Sequence, residues 1–85
     1  MKHLMSEQCI YRLEMLKGLF GDNIKYGRTV LGMMEDFLRD LVKDGFSDKE
    51  IVTIVNFILY EYDINFTIKY HHVYYYLKHY GIRKK

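Results

Sequence analysis

The sequence contains no proline, no tryptophan and a single cysteine, Cys9. Without proline nothing in the interior of the chain blocks helix formation, so breaks must come from glycine, Asn and Asp. One cysteine excludes an intramolecular disulfide, and with no recognisable signal peptide this predicts a reducing, cytoplasmic location. The apolar runs are far too short to cross a membrane, so we expect no membrane partner.

The chain is also short, with 85 residues and six glycines. This length predicts one domain, residues 1–85, without an internal linker or repeat. A chain of this size buries only about 60–65% of its unfolded surface, so its core is small. Domains of this kind often gain stability by association, and we therefore expect a homodimer.

Apolar residues at helical spacing predict four helices, over about 6–20, 28–43, 48–62 and 69–80. Glycine, Asn and Asp at 21–23, 44–45, 63–65 and 81 separate or end them. Ser6 is a suitable N-cap for the first helix, and Ser47 with Glu50 forms a capping box for the third. The fold class is therefore all-α, a compact four-helix domain with a C-terminal helix-turn-helix.

The buried stripes follow from the same spacing. We expect the first helix to bury Cys9, Leu13, Leu16 and Phe20, and the second to bury Val30, Met34, Phe37 and Leu41. The third helix is apolar over most of its circumference, with Phe57 widening the stripe. Tyr11, Met15 and Gly18 lie opposite the stripe of the first helix, either as ordinary exposed residues or as a self-association face.

The last segment allows two interpretations. Residues 64–70 alternate apolar and polar side chains like a half-buried strand, which keeps open an α+β fold with a short C-terminal hairpin. Residues 70–80 fit a helix better, with Tyr70, Val73, Leu77 and Tyr80 facing the core. Its opposite face then carries His71, Tyr75 and Lys78, and its flanks carry the remaining polar and aromatic residues His72, Tyr74 and His79.

This segment also carries the surplus positive charge of the chain. Residues 69–85 contain five Lys and Arg and no acidic residue, whereas residues 1–68 contain eight Lys and Arg against eleven Asp and Glu. Three of the four histidines and five of the nine tyrosines fall in the same segment. Cations, histidines and aromatics on one segment are typical of a surface that binds polyanions.

The third and fourth predicted helices and the connector between them form a candidate helix-turn-helix over about residues 47–81. About residues 48–82, and residues 63–82 in particular, resemble the helix-turn-helix of insertion-element transposases and related small regulators. Val73-Tyr74, Leu77-Lys78 and Gly81-Ile82 match that pattern, and Asn65 stands where the family has its turn glycine. His71-His72 replaces the usual Ser-Thr, and Lys69 and Tyr70 also differ. The resemblance implies a unit that binds double-stranded DNA.

In this interpretation the cations contact phosphates and the second helix faces the bases. The candidate nucleic-acid-binding residues are Lys69, His71, His72, Tyr74, Tyr75, Lys78, His79, Arg83, Lys84 and Lys85. The last three belong to a basic tail, residues 82–85. Without an outward Arg, Asn or Gln on this helix, bidentate base readout from it is weak. Specificity would then come from dimer spacing or DNA shape.

Other kinds of site find little support. The three histidines of the segment lie one, seven and eight residues apart, whereas metal-binding pairs on a helix prefer a spacing of four. Cys9 falls on an apolar stripe and has no partner that would activate it. We therefore expect no metal, no cofactor and no enzymatic activity.

Two functional hypotheses remain. The first is a small helix-turn-helix DNA-binding protein, a transcription regulator or accessory factor of a mobile element, phage or plasmid. The second is a protein-interaction module, an inhibitor or adaptor that docks on an acidic protein through the same Tyr/His/Lys face. Binding of RNA or single strands by tyrosine stacking is a further alternative.

Overall fold

The computed structural model describes residues 5–21 and 23–83 and contains five α-helices in that part of the chain. They are α1 (Glu7–Phe20), α2 (Gly27–Met33), α3 (Glu35–Lys43), α4 (Asp48–Glu61) and α5 (Tyr70–His79). The described residues include no strand, so the all-α prediction is confirmed and the C-terminal hairpin is wrong. Helix α5 packs against both α4 and α2, while α1 packs against α2.

The second predicted helix is two helices, because the chain leaves helical geometry at Met34. This residue has φ −112° and ψ 18°, and its N–H bonds the Leu31 carbonyl one residue tighter than in an α-helix. No glycine or proline occupies the break, and Met34 is fully buried. The break therefore coincides with burial of a core side chain rather than with a local stop signal.

Two of the predicted helix starts are confirmed. The Ser6 hydroxyl accepts a hydrogen bond from the Cys9 N–H at 3.1 Å. The capping box of α4 is complete: the Glu50 N–H donates to the Ser47 hydroxyl at 3.2 Å, and the Ser47 N–H donates to the Glu50 carboxylate at 2.8 Å. These contacts involve residues only three apart, which is why the sequence pattern predicts them.

Three helices end in the same hydrogen-bonded C-cap, the Schellman motif. In α3 and α5 the left-handed residue is a glycine, Gly45 with φ 92° and Gly81 with φ 68°. In α4 it is Asp63, with φ 57°, and the next N–H, that of Ile64, bonds the Leu59 carbonyl. Asn65, which stands at the turn-glycine position of the resembled family, therefore does not make the left-handed turn, because the turn is made two residues earlier, directly after the helix.

The connector between α4 and α5 explains the strand-like alternation. Ile64 and Ile68 are buried, Phe66 is half-buried, and the residues between them are exposed. No strand pairs with this segment; instead the Asn56 side chain of α4 bonds both backbone groups of Ile68, at 2.8 Å to its N–H and 3.0 Å to its carbonyl. The alternation thus reflects an extended segment packed on a helix.

The core contains apolar side chains from all five helices, including the expected Cys9, Leu13, Leu16, Val30, Met34, Phe37, Leu41, Val73 and Leu77. Four expected core positions are instead exposed: Phe20 (42%), Phe57 (62%), Tyr70 (49%) and Tyr80 (48%). Tyr70 begins α5 and Tyr80 directly follows it, and each side chain is about half exposed. Tyr76 is buried in their place, because the inward face of α5 also turns toward α2.

Candidate nucleic-acid interface

The outward face of α5 carries most of the predicted site residues. His71, Tyr74, Tyr75, Lys78 and His79 are all exposed, on the side of the helix opposite the buried Val73 and Leu77. The Lys78 ammonium lies 5.7 Å from the centre of the Tyr74 ring, and the Tyr74 and Tyr75 rings meet edge to face at 5.1 Å. The face therefore presents a cation, imidazoles and phenol hydroxyls together.

His72 has a structural role that the sequence pattern did not indicate. It is half-buried, and its Nδ1 accepts a hydrogen bond from the Lys69 N–H at 2.9 Å, which caps the start of α5. Burial, and then the nearby His71 and Lys69, lower the pKa of His72 below its usual value. A neutral imidazole is what this cap requires, since a protonated Nδ1 cannot accept. Lys69 itself is exposed beside the cap.

The basic tail divides into two parts. The Arg83 guanidinium donates to the Asp48 carboxylate at 2.8 Å and to the Phe46 carbonyl at 2.9 Å, so it ties the end of the chain to the start of α4. Its predicted phosphate contact would require breaking this ion pair, so we leave Arg83 out of the surface. Lys84 and Lys85 lie outside the described residues.

A groove of about 870 Å³ runs between the outward face of α5 and the chain entering α2. On the α5 side it is lined by His71, His72, Tyr75, Tyr76, Lys78, His79 and Tyr80. On the α2 side it is lined by residues 25–28, Lys-Tyr-Gly-Arg, and no described lining residue is acidic. We call this feature the α2–α5 groove.

The α2 side of the groove was not foreseen from the sequence. Lys25, Tyr26 and Arg28 are exposed, and the Arg28 guanidinium lies 5.5 Å from the centre of the Tyr26 ring. In the sequence, the only indication of this side is that Lys25 and Arg28 stand on either side of Tyr26. It falls 41 to 44 positions before the basic segment, and only the packing of α2 on α5 brings the two together.

Gly27 allows α2 and α5 to approach each other at this point. A Cβ atom at this position would lie 2.6 Å from two atoms of the His72 ring, which is shorter than the non-bonded contacts that Cβ atoms make in proteins. Gly32, on the same helix, has only the Tyr76 hydroxyl within reach, at an ordinary 3.7 Å. The position of the groove wall therefore depends on the missing side chain at Gly27.

A hydrogen bond between α5 and α3 supports the floor of the groove. The Tyr76 hydroxyl donates to the Glu35 carboxylate at 2.8 Å, and Arg39 holds the same side chain at 2.7 Å. Burial, and then the Glu35 contact, raise the pKa of Tyr76 well above its usual value. The Tyr76 hydrogen bond, followed by that of Arg39, lowers the pKa of Glu35. The Glu35 charge is thus engaged beneath the groove.

The predicted helix-turn-helix corresponds to α4, its connector and α5. The connector runs over residues 62–69, longer than the three to four residues usual for such turns. Its length is accounted for by the Schellman cap at Asp63 and by the extended segment that Asn56 holds against α4. The arrangement still leaves α5 with one buried and one exposed face.

The described residues include neither a metal site nor a reactive thiol. Across residues 5–21 and 23–83, no group of three His, Cys, Asp or Glu side chains could hold a metal ion. Burial raises the pKa of the Cys9 thiol, whose Sγ lies 3.6 Å from the Met33 carbonyl oxygen, so the thiol stays protonated. None of the helices found there is long and apolar enough to cross a membrane.

Comparison with protein-family models, with curated proteins and with solved structures finds no match to this chain. The geometry of the groove therefore carries the functional argument.

Proposed function

We propose that this protein is a small helix-turn-helix DNA-binding protein, a regulator or accessory factor, in which α5 enters the major groove of double-stranded DNA. The observation that carries the proposal is the outward face of α5. Lys78 and the exposed histidines and tyrosines share it, and no described residue lining the groove beside it is acidic. Polyanions are attracted to such a surface, and a single exposed helix fits the major groove.

The roles of the side chains follow from their chemistry. Lys78 and Lys69 bind phosphates, and His71, Tyr74, Tyr75 and His79 donate hydrogen bonds to phosphates or base edges. Since the face lacks Arg, Asn and Gln, affinity exceeds base discrimination. The predicted absence of a catalytic activity and of a cofactor belongs to this proposal, which describes a binding protein.

A homodimer is part of the proposal. Tyr11, Met15 and Leu19 lie on one exposed face of α1, and a Cβ at the neighbouring Gly18 would meet nothing within 4 Å. A second copy could pack there, and a dimer would add specificity through the spacing of two half-sites. The mass of the free protein in solution tests this part; a strictly monomeric protein at high concentration contradicts it.

The test is a titration of a random-sequence duplex at about 50 and about 200 mM salt. We expect binding that weakens steeply with salt. The double variant Lys78→Ala/Tyr75→Ala should bind more weakly, and the magnitude of the negative slope of log K against log salt should decrease by about 0.9. The control is Lys43→Ala/Tyr60→Ala, which removes the same charge and an exposed tyrosine that does not line the groove, 78% exposed against 64% for Tyr75.

The second candidate function is docking on an acidic protein through the same face. It is favoured by the exposed tyrosines beside the groove, Tyr26, Tyr75 and Tyr80, because tyrosine is enriched at binding hot spots. If micromolar protein shifts no duplex at low salt, the DNA proposal is wrong. A stoichiometric protein partner that survives nuclease and high salt, and that Lys78→Ala/Tyr75→Ala loses, would then support this alternative.

A further inference from the structure

The side of the groove formed by residues 25–28 carries two cations that no described carboxylate neutralises. Three of the four arginines hold a carboxylate: Arg12 with Asp36 at 3.7 Å, Arg39 with Glu35 at 2.7 Å, and Arg83 with Asp48 at 2.8 Å. Arg28, the fourth, and the nearby Lys25 have no carboxylate partner among the described residues, and both are exposed. A guanidinium left unpaired beside a groove is available to an external anion.

The position of these two cations relative to α5 is defined. Residues 25–28 lie across the groove from His71, Tyr75 and Lys78. The close approach of Gly27 to the His72 ring keeps this wall against α5. The wall and the helix are therefore neighbouring parts of one surface, although Arg28 and Tyr70 are 42 positions apart in the chain.

B-DNA supplies a matching arrangement of charge. A helix in the major groove, which is about 12 Å wide, has a sugar-phosphate strand on each side. An element that flanks the inserted helix therefore faces phosphates rather than bases. Residues 25–28 flank α5 on one side.

We propose that residues 25–28, which lead into α2, are a second DNA-contacting element, in which Lys25 and Arg28 bind phosphates of the strand that borders α5. Tyr26 supports this by holding the Arg28 guanidinium over its ring. The inference rests on the proposed function, since it assigns the strand beside the same helix. These contacts add affinity and set the position of the protein on the duplex without reading its sequence.

The experiment measures duplex affinity over a salt series for Lys25→Ala/Arg28→Ala, on two duplexes of unrelated sequence. Because each phosphate contact contributes about 0.9 to the magnitude of the slope of log K against log salt, we expect this magnitude to decrease by about 1.8. At about 0.1 M salt this corresponds to a loss of affinity of roughly tenfold or more, by a similar factor on both duplexes. The charge-matched control, Lys43→Ala/Lys49→Ala, removes two exposed cations that do not line the groove and should change the slope far less.

Two further results separate this inference from the proposed function. If the unaltered protein binds DNA and Lys78→Ala/Tyr75→Ala weakens it, but Lys25→Ala/Arg28→Ala behaves like its control, the inference is overturned and the function stands. If the unaltered protein binds no duplex, both are wrong. The single variant Arg28→Ala should lose part of the salt dependence, whereas Arg28→Lys, which keeps the charge, should retain the salt dependence of the unaltered protein. A loss caused by altered packing would instead appear in both variants.

Discussion

The two sides of α5 are held in different ways. Toward α4, the contact involves a connector with buried Ile64 and Ile68 and the Asn56 side chain, all within 30 residues of chain. Toward α2 and α3, it depends on the space at Gly27 and on the Tyr76–Glu35 hydrogen bond, between residues about 40 positions apart. The first contact is stabilised by residues that are close in the chain. The second contact, which forms the groove, is stabilised by packing between residues that are distant in the chain.

This difference has a consequence for function. Changes on the α4 side should alter the stability of the domain with little effect on the groove. Changes on the α2 side should alter the shape of the groove together with stability, because the same residues line it.

The largest expected effect comes from adding a methyl group where α2 meets α5. Gly27→Ala should destabilise the protein by about 1–3 kcal/mol, because its Cβ overlaps the His72 ring and one of the two must move. Chemical denaturation measures the change. Duplex affinity should fall with it, since the groove wall is displaced.

The matched control is Gly32→Ala on the same helix. Its Cβ would have ordinary space beside the Tyr76 hydroxyl, and alanine is the better helix former by up to about 1 kcal/mol. We expect equal or greater stability and unchanged DNA binding. Equal stability for the two variants would show that α2 and α5 do not approach as closely as described.

A smaller effect concerns the cap of α5 and its dependence on pH. The folded state lowers the pKa of His72, so this group contributes stability above its unfolded-state pKa of about 6.5 and loses it as pH falls through the lower folded value. Losing the cap should cost about 1 kcal/mol. The free energy of unfolding, measured from about pH 7.5 to about pH 5, should therefore decrease toward acid.

The variant His72→Gln separates this group from other titrating residues. Glutamine at the third helical position can accept the same N–H but does not titrate, so the decrease toward acid should become shallower. His79→Gln, at the exposed far end of α5, should keep the slope of the unaltered protein. A slope that follows His79 rather than His72 would contradict the assignment of the cap.

The smallest effect tests the α4 side. Asp63→Gly should stabilise the protein by about 0.5 kcal/mol, because glycine adopts the left-handed conformation of this C-cap at lower cost than Asp. Asn65→Gly should instead destabilise by a similar amount, since Asn65 does not have positive φ and glycine adds unfolded-state entropy. Melting temperatures decide between them, and the opposite order would place the turn at Asn65.

How far the sequence leads can be judged from particular residues. The capping box of Ser47 and Glu50, the N-cap Ser6 and the glycine after α5 involve partners within a few positions, and all are confirmed. The split at Met34, the burial of Tyr76 and the cap made by His72 were not predicted. Each of these depends on which helices surround the residue, and helical periodicity does not contain that information.

The same distinction applies to the candidate site. Amino-acid order alone determines that α5 has an apolar face and an outward face with Lys78, because a period of 3.6 residues assigns every side chain to one side. It also concentrates cations, histidines and tyrosines in residues 69–85. Tertiary structure alone decides that Arg83 is engaged by Asp48 and that Lys25 and Arg28 stand beside α5. The physical reason is the packing of α2 against α5, which brings together residues that are distant in the chain.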